Sequence, residues 1–377
     1  MSSSRHSYFV IWRFVISNFW IFVCITAGEH QYLKTSEVGG DSPRNHTNTH
    51  ISLPHTHFDE STSPWVEQVG EAPKVYYFHN FLTDTERQHM IKLAVPYMKR
   101  STVVGGEKGA GVIDDIRTSY GMFIRRLQDP VLEGIEKRIS LWTHLPLSHQ
   151  EDIQVLRYQE GQTYGAHYDS SYDKDEFGPK YRLATLLIYL SDVEEGGETA
   201  FPKDSIYTDP SIPVRGAPWS DCAKGHVAVK PKKNDAVLFY SYFPNGTMDP
   251  ASMHTGCPVI KGIKWAAPIW IHVDQFRPEE LKNMEVVKKG QPPDPGVCDD
   301  YHAECSNWAS NGQCLHNQKF MLDVCRKSCK ECEHCALFDL PCVNRNRAQG
   351  GYLPIDREEM KSLGVDLWQQ PEPSPEL

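Results

Sequence analysis

The sequence predicts a mainly β chain with flanking helices, followed by a small disulfide-rich module. Three observations carry this. Short runs rich in β-branched and aromatic residues (IQVLRYQ, RLATLLIYL, HVAVK, DAVLFYSY and KWAAPIWIHV) follow one another from Ile153 to Val273, separated by Gly, Pro and Asp. Several such strands in a row make a sandwich or a barrel. Two upstream segments carry helical spacing instead. Eight of the eleven cysteines fall between Cys298 and Cys342, a density that reads as a disulfide framework in an oxidising compartment. The 377 residues, 40% apolar with 15 Phe, 17 Tyr and 9 Trp, are enough for one large core and a small module. A net charge of −10 argues against nucleic-acid binding, which needs a basic face.

Taken in order, residues 1–28 read as a signal anchor or a cleaved signal peptide. Arg5 precedes an apolar stretch, Tyr8 to Ala27, interrupted by Arg13. Thr26-Ala27-Gly28 offers a cleavage site, but bulky Phe19, Trp20 and Phe22 favour an anchor with the bulk of the chain in a lumen. Residues 29–72 are polar and read as a stem, in which His46, His50, His55 and His57 are solvated. Sequons at Asn45 and Asn245 fit a lumenal protein, and Asn245-Gly246 is also a hairpin-turn signal. The large domain is placed at 73–275. VYYFHNF is strand-like. In LTDTERQHMIKLAVPYM, Thr83 and Glu86 form a capping box that starts a helix, and Pro96 ends it. DPVLEGIEKRISLWTHL spaces Val131, Leu132, Ile135, Ile139 and Leu141 along a second amphipathic helix. A linker, 276–297, leads to the cysteine module at 298–332, and 333–377 reads as a tail, frayed after Gly350.

The candidate chemistry lies in GAHYDSSYDKD, residues 165–175. Residues two apart in a strand or at its end point the same way, so His167 and Asp169 are placed to grip one ion. His254 supplies a third ligand. Two histidines and a carboxylate make the facial triad of non-haem Fe(II) oxygenases, with positions left open for a bidentate 2-oxo acid and for O2. Lys264 follows His254 by ten residues, and on a single strand that even separation turns both inward. A buried lysine needs an anion, and the far carboxylate of 2-oxoglutarate is one. The plain alternatives are a polar surface loop at His167 and a surface-facing Lys264.

VLRYQEGQTYGAHYD, LATLLIYLSDVEEGGETAFP and DPASMHTGCPVIKGIKWAAPIWIH, in that order, resemble the catalytic domain of prolyl 4-hydroxylases, the Fe(II)/2-oxoglutarate dioxygenases. The resemblance runs from about Val75 to Val273 and implies a double-stranded β-helix (jelly-roll) with a metal at one mouth. It implies iron ligands at His167, Asp169 and His254, Lys264 on the co-substrate carboxylate, and Tyr158, Thr199 and Trp270 around the same pocket. Arg182, Glu151 and His272 match positions that hold the peptide. The implied reaction is of the procollagen-proline type: peptidyl proline becomes 4-hydroxyproline while 2-oxoglutarate is decarboxylated to succinate, with ascorbate rescuing iron oxidised in uncoupled turnovers. Thr255 departs from the Gly that often follows the distal histidine, and its hydroxyl is expected to tighten the pocket.

CSNWASNGQC and CRKSCKEC, within the spacing C-x6-C-x8-C-x10-C-x3-C-x2-C, resemble the ShK toxin-like domain that some plant and algal prolyl hydroxylases carry. The family pairing is Cys298–Cys332, Cys305–Cys325 and Cys314–Cys329, and the family supports Cys222–Cys257. Spacing alone leaves the pairing open, with zinc at Cys329, Cys332 and Cys335 as the rival. Cys335 and Cys342 are left to pair with each other. Cys24 stays unpaired. The expected partner is a proline-rich polypeptide in the polyproline II conformation. The expected location is the endoplasmic reticulum or Golgi membrane, single-pass type II with a lumenal catalytic domain. A non-catalytic jelly-roll and ShK binding module, and the same chemistry on lysine, are the alternatives. The triad with Lys264 disfavours the first and the prolyl-type motifs the second.

Overall fold

The computed structural model describes residues 63–104, 111–112, 115–170, 181–282, 294–336 and 339–367. All belong to one unit, His57–Leu377. The anchor segment, the stem as far as residue 62, Cys24, Asn45, the stem histidines, the proline-rich part of the linker and the last ten residues lie outside the described residues.

Two antiparallel sheets face each other. The larger has nine strands in the spatial order Ile206–Tyr207, Trp65–Ala72, Val75–His79, Ala236–Tyr240, Arg182–Tyr189, Lys264–His272, Ile153–Tyr158, Tyr120–Ile124 and Lys99–Arg100. The smaller has four: Val227–Val229, Thr199–Phe201, His254–Gly256 and Tyr164–His167. Two central strands of the larger sheet, Ile153–Tyr158 and Lys264–His272, are buried almost throughout because both faces are covered. Strand alternation divides their side chains. Tyr189, Val237, Phe239 and Ala266 pack towards the smaller sheet against Phe201, Val227 and Val229. Leu186, Ile188, Leu238, Trp265, Ala267 and Ile269 pack the other way, against the helices.

The helix Asp84–Ala94 starts at the capping box: Glu86 N–H donates to Thr83 Oγ1 at 3.2 Å, and Thr83 N–H to Glu86 Oε2 at 2.9 Å. Pro96 falls in a short 3-10 turn, Val95–Tyr97, that ends it. The helix Pro130–Thr143 is capped by Asp129 and buries Leu132, Ile135 and Ile139. Leu141 is 71% exposed. Its position two residues past Ile139 puts it on the solvent side, and Trp142 packs against Phe78 and Phe81 instead.

Two boundaries differ from the sequence reading. Trp65–Ala72 is not stem but a strand paired with Val75–His79, so the domain begins there. Residues 339–367 are not a tail, and they are ordered past Gly350. They form the helices Leu340–Gln349 and Arg357–Ser362, and Ile355, Met360, Leu363 and Val365 join the main core. Arg347 is fully buried and donates to the carbonyls of Val95, Pro96 and Leu353 and to Asp294. A polar stretch can pack this way because backbone carbonyls satisfy its cation, which composition does not reveal.

Among the described residues five disulfides close: Cys222–Cys257, Cys298–Cys332, Cys305–Cys325, Cys314–Cys329 and Cys335–Cys342. Cys329, Cys332 and Cys335 therefore offer no thiolate to zinc. Within the module the helix Cys305–Ser310 leads to Gln318–Val324, around a small core of Cys305, Met321 and Cys325. Among the described residues no helix is long and apolar enough to cross a membrane.

Candidate metal centre and co-substrate pocket

His167 ends the strand Tyr164–His167 and His254 begins its neighbour, and the two are direct cross-strand partners. Asp169 follows two residues later. One ligand atom from each of the three lies within 4.8 Å of the others. His167 Nε2 is 3.5 Å from Asp169 Oδ1, and His254 Nε2 is 3.5 Å from Oδ2.

Neighbouring groups fix how these ligands point. His167 Nδ1 lies 2.8 Å from the Gly165 carbonyl and His254 Nδ1 3.1 Å from that of Ser252. A carbonyl only accepts, so both Nδ1 atoms carry the proton and both Nε2 lone pairs face the centre. Thr185 Oγ1 donates to Asp169 Oδ2 at 2.6 Å. Burial pushes the His254 imidazole down to about 4 despite the pull of Asp169, leaving it neutral. Burial alone would raise the Asp169 carboxyl, but His254, His167 and Arg182 outweigh it and hold it well below the usual range. Two imidazole nitrogens and one carboxylate suit Fe(II).

The adjoining pocket lies between the two sheets. Lys264 stands in it, 4% exposed. Burial pushes its ammonium down to about 8, against the pull of Glu198. Its Nζ donates to the Gly197 carbonyl at 2.7 Å, and among the described residues no carboxylate pairs with it. A buried cation with only a neutral acceptor fits an anionic ligand, so the pocket suits a dicarboxylate reaching in from the metal. His254 and Lys264 do not share a strand, as the sequence spacing suggested. They sit on different sheets and converge because the sheets face each other.

Tyr158 is the cross-strand partner of Lys264, and Thr199 accepts from the Tyr189 hydroxyl at 2.8 Å. Trp270 closes another wall. Its indole Nε1 is buried without a partner among the described residues, and the Arg182 guanidinium lies 3.7 Å over its ring. Arg182 grips Glu151 with two hydrogen bonds, 2.6 and 3.0 Å, and His272 Nε2 lies 2.7 Å from Glu151 Oε1. Burial opposes the Glu151 charge, but His272 and Arg182 hold its carboxyl below its usual value. The structure thus brings Arg182, Glu151 and His272 together beside Trp270. Thr255 differs from expectation: its hydroxyl donates to the Tyr164 carbonyl at 2.8 Å, away from the pocket. Asn245 is exposed in a turn, accepting from Thr247.

Thr185, Tyr189, Tyr164 and Arg117 were not singled out by sequence. The first two were legible, since in RLATLLIYL every second residue from Thr185 turns towards the smaller sheet, where Thr185 and Leu187 line the pocket and Tyr189 bonds to Thr199. Tyr164 stacks on His167 with ring centres 3.8 Å apart, and Arg117 lies 4.8 Å over the Tyr164 ring. Arg117 comes from a segment with no periodic signal, and only the fold delivers it.

Residues 153–272 match the 2OG-Fe(II) oxygenase superfamily and residues 297–332 the ShK domain-like family. Probable prolyl 4-hydroxylase 4 of Arabidopsis thaliana is 42% identical over 274 residues, covering 71% of this chain and 88% of the relative. Prolyl 4-hydroxylase 2 of the same organism is 41% identical with the same coverage. A solved viral collagen prolyl hydroxylase from Paramecium Bursaria Chlorella virus-1, in its 2OG complex, is 29% identical, with a TM-score of 0.38 over 53% of this chain and 96% of that one. The assignment stands on the sequence relatives: this chain belongs to the prolyl 4-hydroxylase family of 2OG-Fe(II) oxygenases, and carries an ShK-like domain behind the oxygenase domain.

Proposed function

We propose that the protein hydroxylates peptidyl proline at C4, using Fe(II), 2-oxoglutarate and O2, in proline-rich secreted polypeptides. The observation that carries this is the triad of His167, Asp169 and His254 beside an unpaired buried Lys264. Bound Fe(II) and 2-oxoglutarate supply the oxidative chemistry, with succinate and CO2 as the other products. The chain's residues hold and shield it. His167 and His254 would hold the metal through Nε2 and Asp169 through its carboxylate, a third protein ligand that would keep a halide out and favour hydroxylation. Lys264 neutralises the far carboxylate of 2-oxoglutarate, while Tyr158, Thr199 and Trp270 flank it. Leu156, Leu187 and Phe239 line the same pocket and exclude water.

Arg182, Glu151 and His272 form a locked polar edge suited to peptide carbonyls and amides, which a polyproline II segment leaves free. Ascorbate serves as the rescuing reductant. Five disulfides favour an oxidising compartment, consistent with a lumenal domain, an N-terminal anchor in the endoplasmic reticulum or Golgi membrane, and a glycan on exposed Asn245.

The test is a hydroxylation assay on the protein made in an oxidising compartment, with Fe(II), 2-oxoglutarate, ascorbate and two peptides, one Pro-rich wall-type and one collagen-like. Mass spectrometry should find oxygen on proline with wild type and none with Asp169→Ala. Iron and 2-oxoglutarate binding without proline oxidation would move the chemistry to another residue such as lysine. Absence of both binding and turnover in folded protein would favour a non-catalytic module.

A further inference from the structure

We propose that Glu359, on the C-terminal helix Arg357–Ser362, is a positioning residue for the co-substrate pocket: by bridging Arg157 and Trp265 it sets the placement of Tyr158 and Lys264. This rests on the reading of Lys264 as the partner of 2-oxoglutarate.

The register makes the connection. Strands Ile153–Tyr158 and Lys264–His272 pair through Lys264↔Tyr158, Trp265↔Arg157 and Ala266↔Leu156. Neighbouring residues on a strand face opposite sides. Lys264 and Tyr158 turn into the pocket, while Trp265 and Arg157, one residue along each strand, turn out of its back. There one carboxylate holds both strands. Arg157 donates from Nε to Glu359 Oε1 and from Nη2 to Oε2, each at 2.7 Å, and Trp265 Nε1 donates to Oε1 at 2.7 Å. All three side chains are buried.

The bridge is anchored independently of the strands it joins. Asp356 caps the helix by accepting from the Glu358 and Glu359 amides. Met360 and Leu363 sink into the main core, and the Leu363 carbonyl accepts from Arg87 at 3.0 Å. The bridge is needed at this point because Lys264↔Tyr158 is the last pair of the short ladder, and Lys264 begins its strand. A buried ion pair contributes little net stability compared with apolar packing. Its value here is geometric: one rigid two-oxygen acceptor ties the backbones that carry the two pocket residues.

The experiment uses the full chain and a readout without turnover. The affinity for 2-oxoglutarate is measured by calorimetry with Mn(II) in place of iron, alongside the melting temperature. Glu359→Gln is expected to weaken 2-oxoglutarate by about 5-fold with Mn(II) affinity unchanged. Ile135→Ala, in the same core but on the helix Pro130–Thr143, is expected to lower the melting temperature without moving 2-oxoglutarate affinity. Should Glu359→Gln not fold, Trp265→Phe removes the indole donor, together with part of the ring, and is expected to weaken 2-oxoglutarate about 3-fold. A loss of melting temperature in Glu359→Gln or Trp265→Phe with unchanged 2-oxoglutarate affinity overturns the proposal. Lys264→Ala separates the two ideas. If it weakens 2-oxoglutarate and the bridge variants do not, the bridge alone is wrong. If it too has no effect, the assignment of Lys264 falls, and the bridge with it.

Discussion

At the scale of the residue, Lys264 carries the sharpest expectation. Its ammonium is buried and titrates near 8 because burial disfavours the charge. The protonated form is the one that attracts a carboxylate, so 2-oxoglutarate affinity should be flat below that pH and fall as pH rises through about 8. Lys264→Ala removes a charge-assisted hydrogen bond of ~1.5–3 kcal/mol, which corresponds to roughly 10- to 150-fold weaker binding. It should also abolish the pH dependence over the same window. A titration of 2-oxoglutarate at several pH values checks both, and a variant retaining the wild-type pH profile would take Lys264 out of this role. His167 and His254 were legible as ligand types. Which ring nitrogen faces the centre was not, because the Gly165 and Ser252 carbonyls decide it.

At the scale of the element, the strand His254–Gly256 is short and depends on its neighbours. It pairs with Tyr164–His167 on one side and Thr199–Phe201 on the other, and Cys257 ties its end to Cys222 across a sequence separation of 35. Closing a loop of that size restricts the unfolded chain by ~3–4 kcal/mol in the entropic model. The paired variant Cys222→Ser with Cys257→Ser should therefore lose about 3 kcal/mol of unfolding free energy, measured by denaturant titration, and bind Mn(II) more weakly as His254 loosens. Unchanged metal affinity would mean that the strand pairings alone hold His254. The helices were read more reliably than these strands. Thr83 and Asp129 announce their starts through local chemistry, whereas a three-residue strand such as Thr199–Phe201 has too few positions to show a period.

At the scale of the whole molecule, the C-terminal residues are part of the oxygenase domain. Ile355, Met360, Leu363 and Val365 lie in its core, and Arg347 donates to the Val95 and Pro96 carbonyls. Each apolar side chain contributes ~1.5–3 kcal/mol on burial, so together they rival the ~5–15 kcal/mol that stabilises a typical domain. A chain ending at residue 338 should fail to fold or aggregate, visible as loss of soluble protein and of near-ultraviolet circular dichroism. A truncated chain that melts like the full one would show this segment to be dispensable.

The sequence by itself determined the β-rich character, the two helix starts, the residue types of the metal centre and the density of cysteines, because each is written in local spacing or composition. The tertiary structure alone decided that His254 and Lys264 meet from opposite sheets, that Arg117 reaches the site, and that a polar C-terminal stretch locks behind the pocket. Those outcomes depend on contacts between residues far apart in the chain. Glu359 and Arg157 are 202 positions apart, and no local period encodes such a pairing.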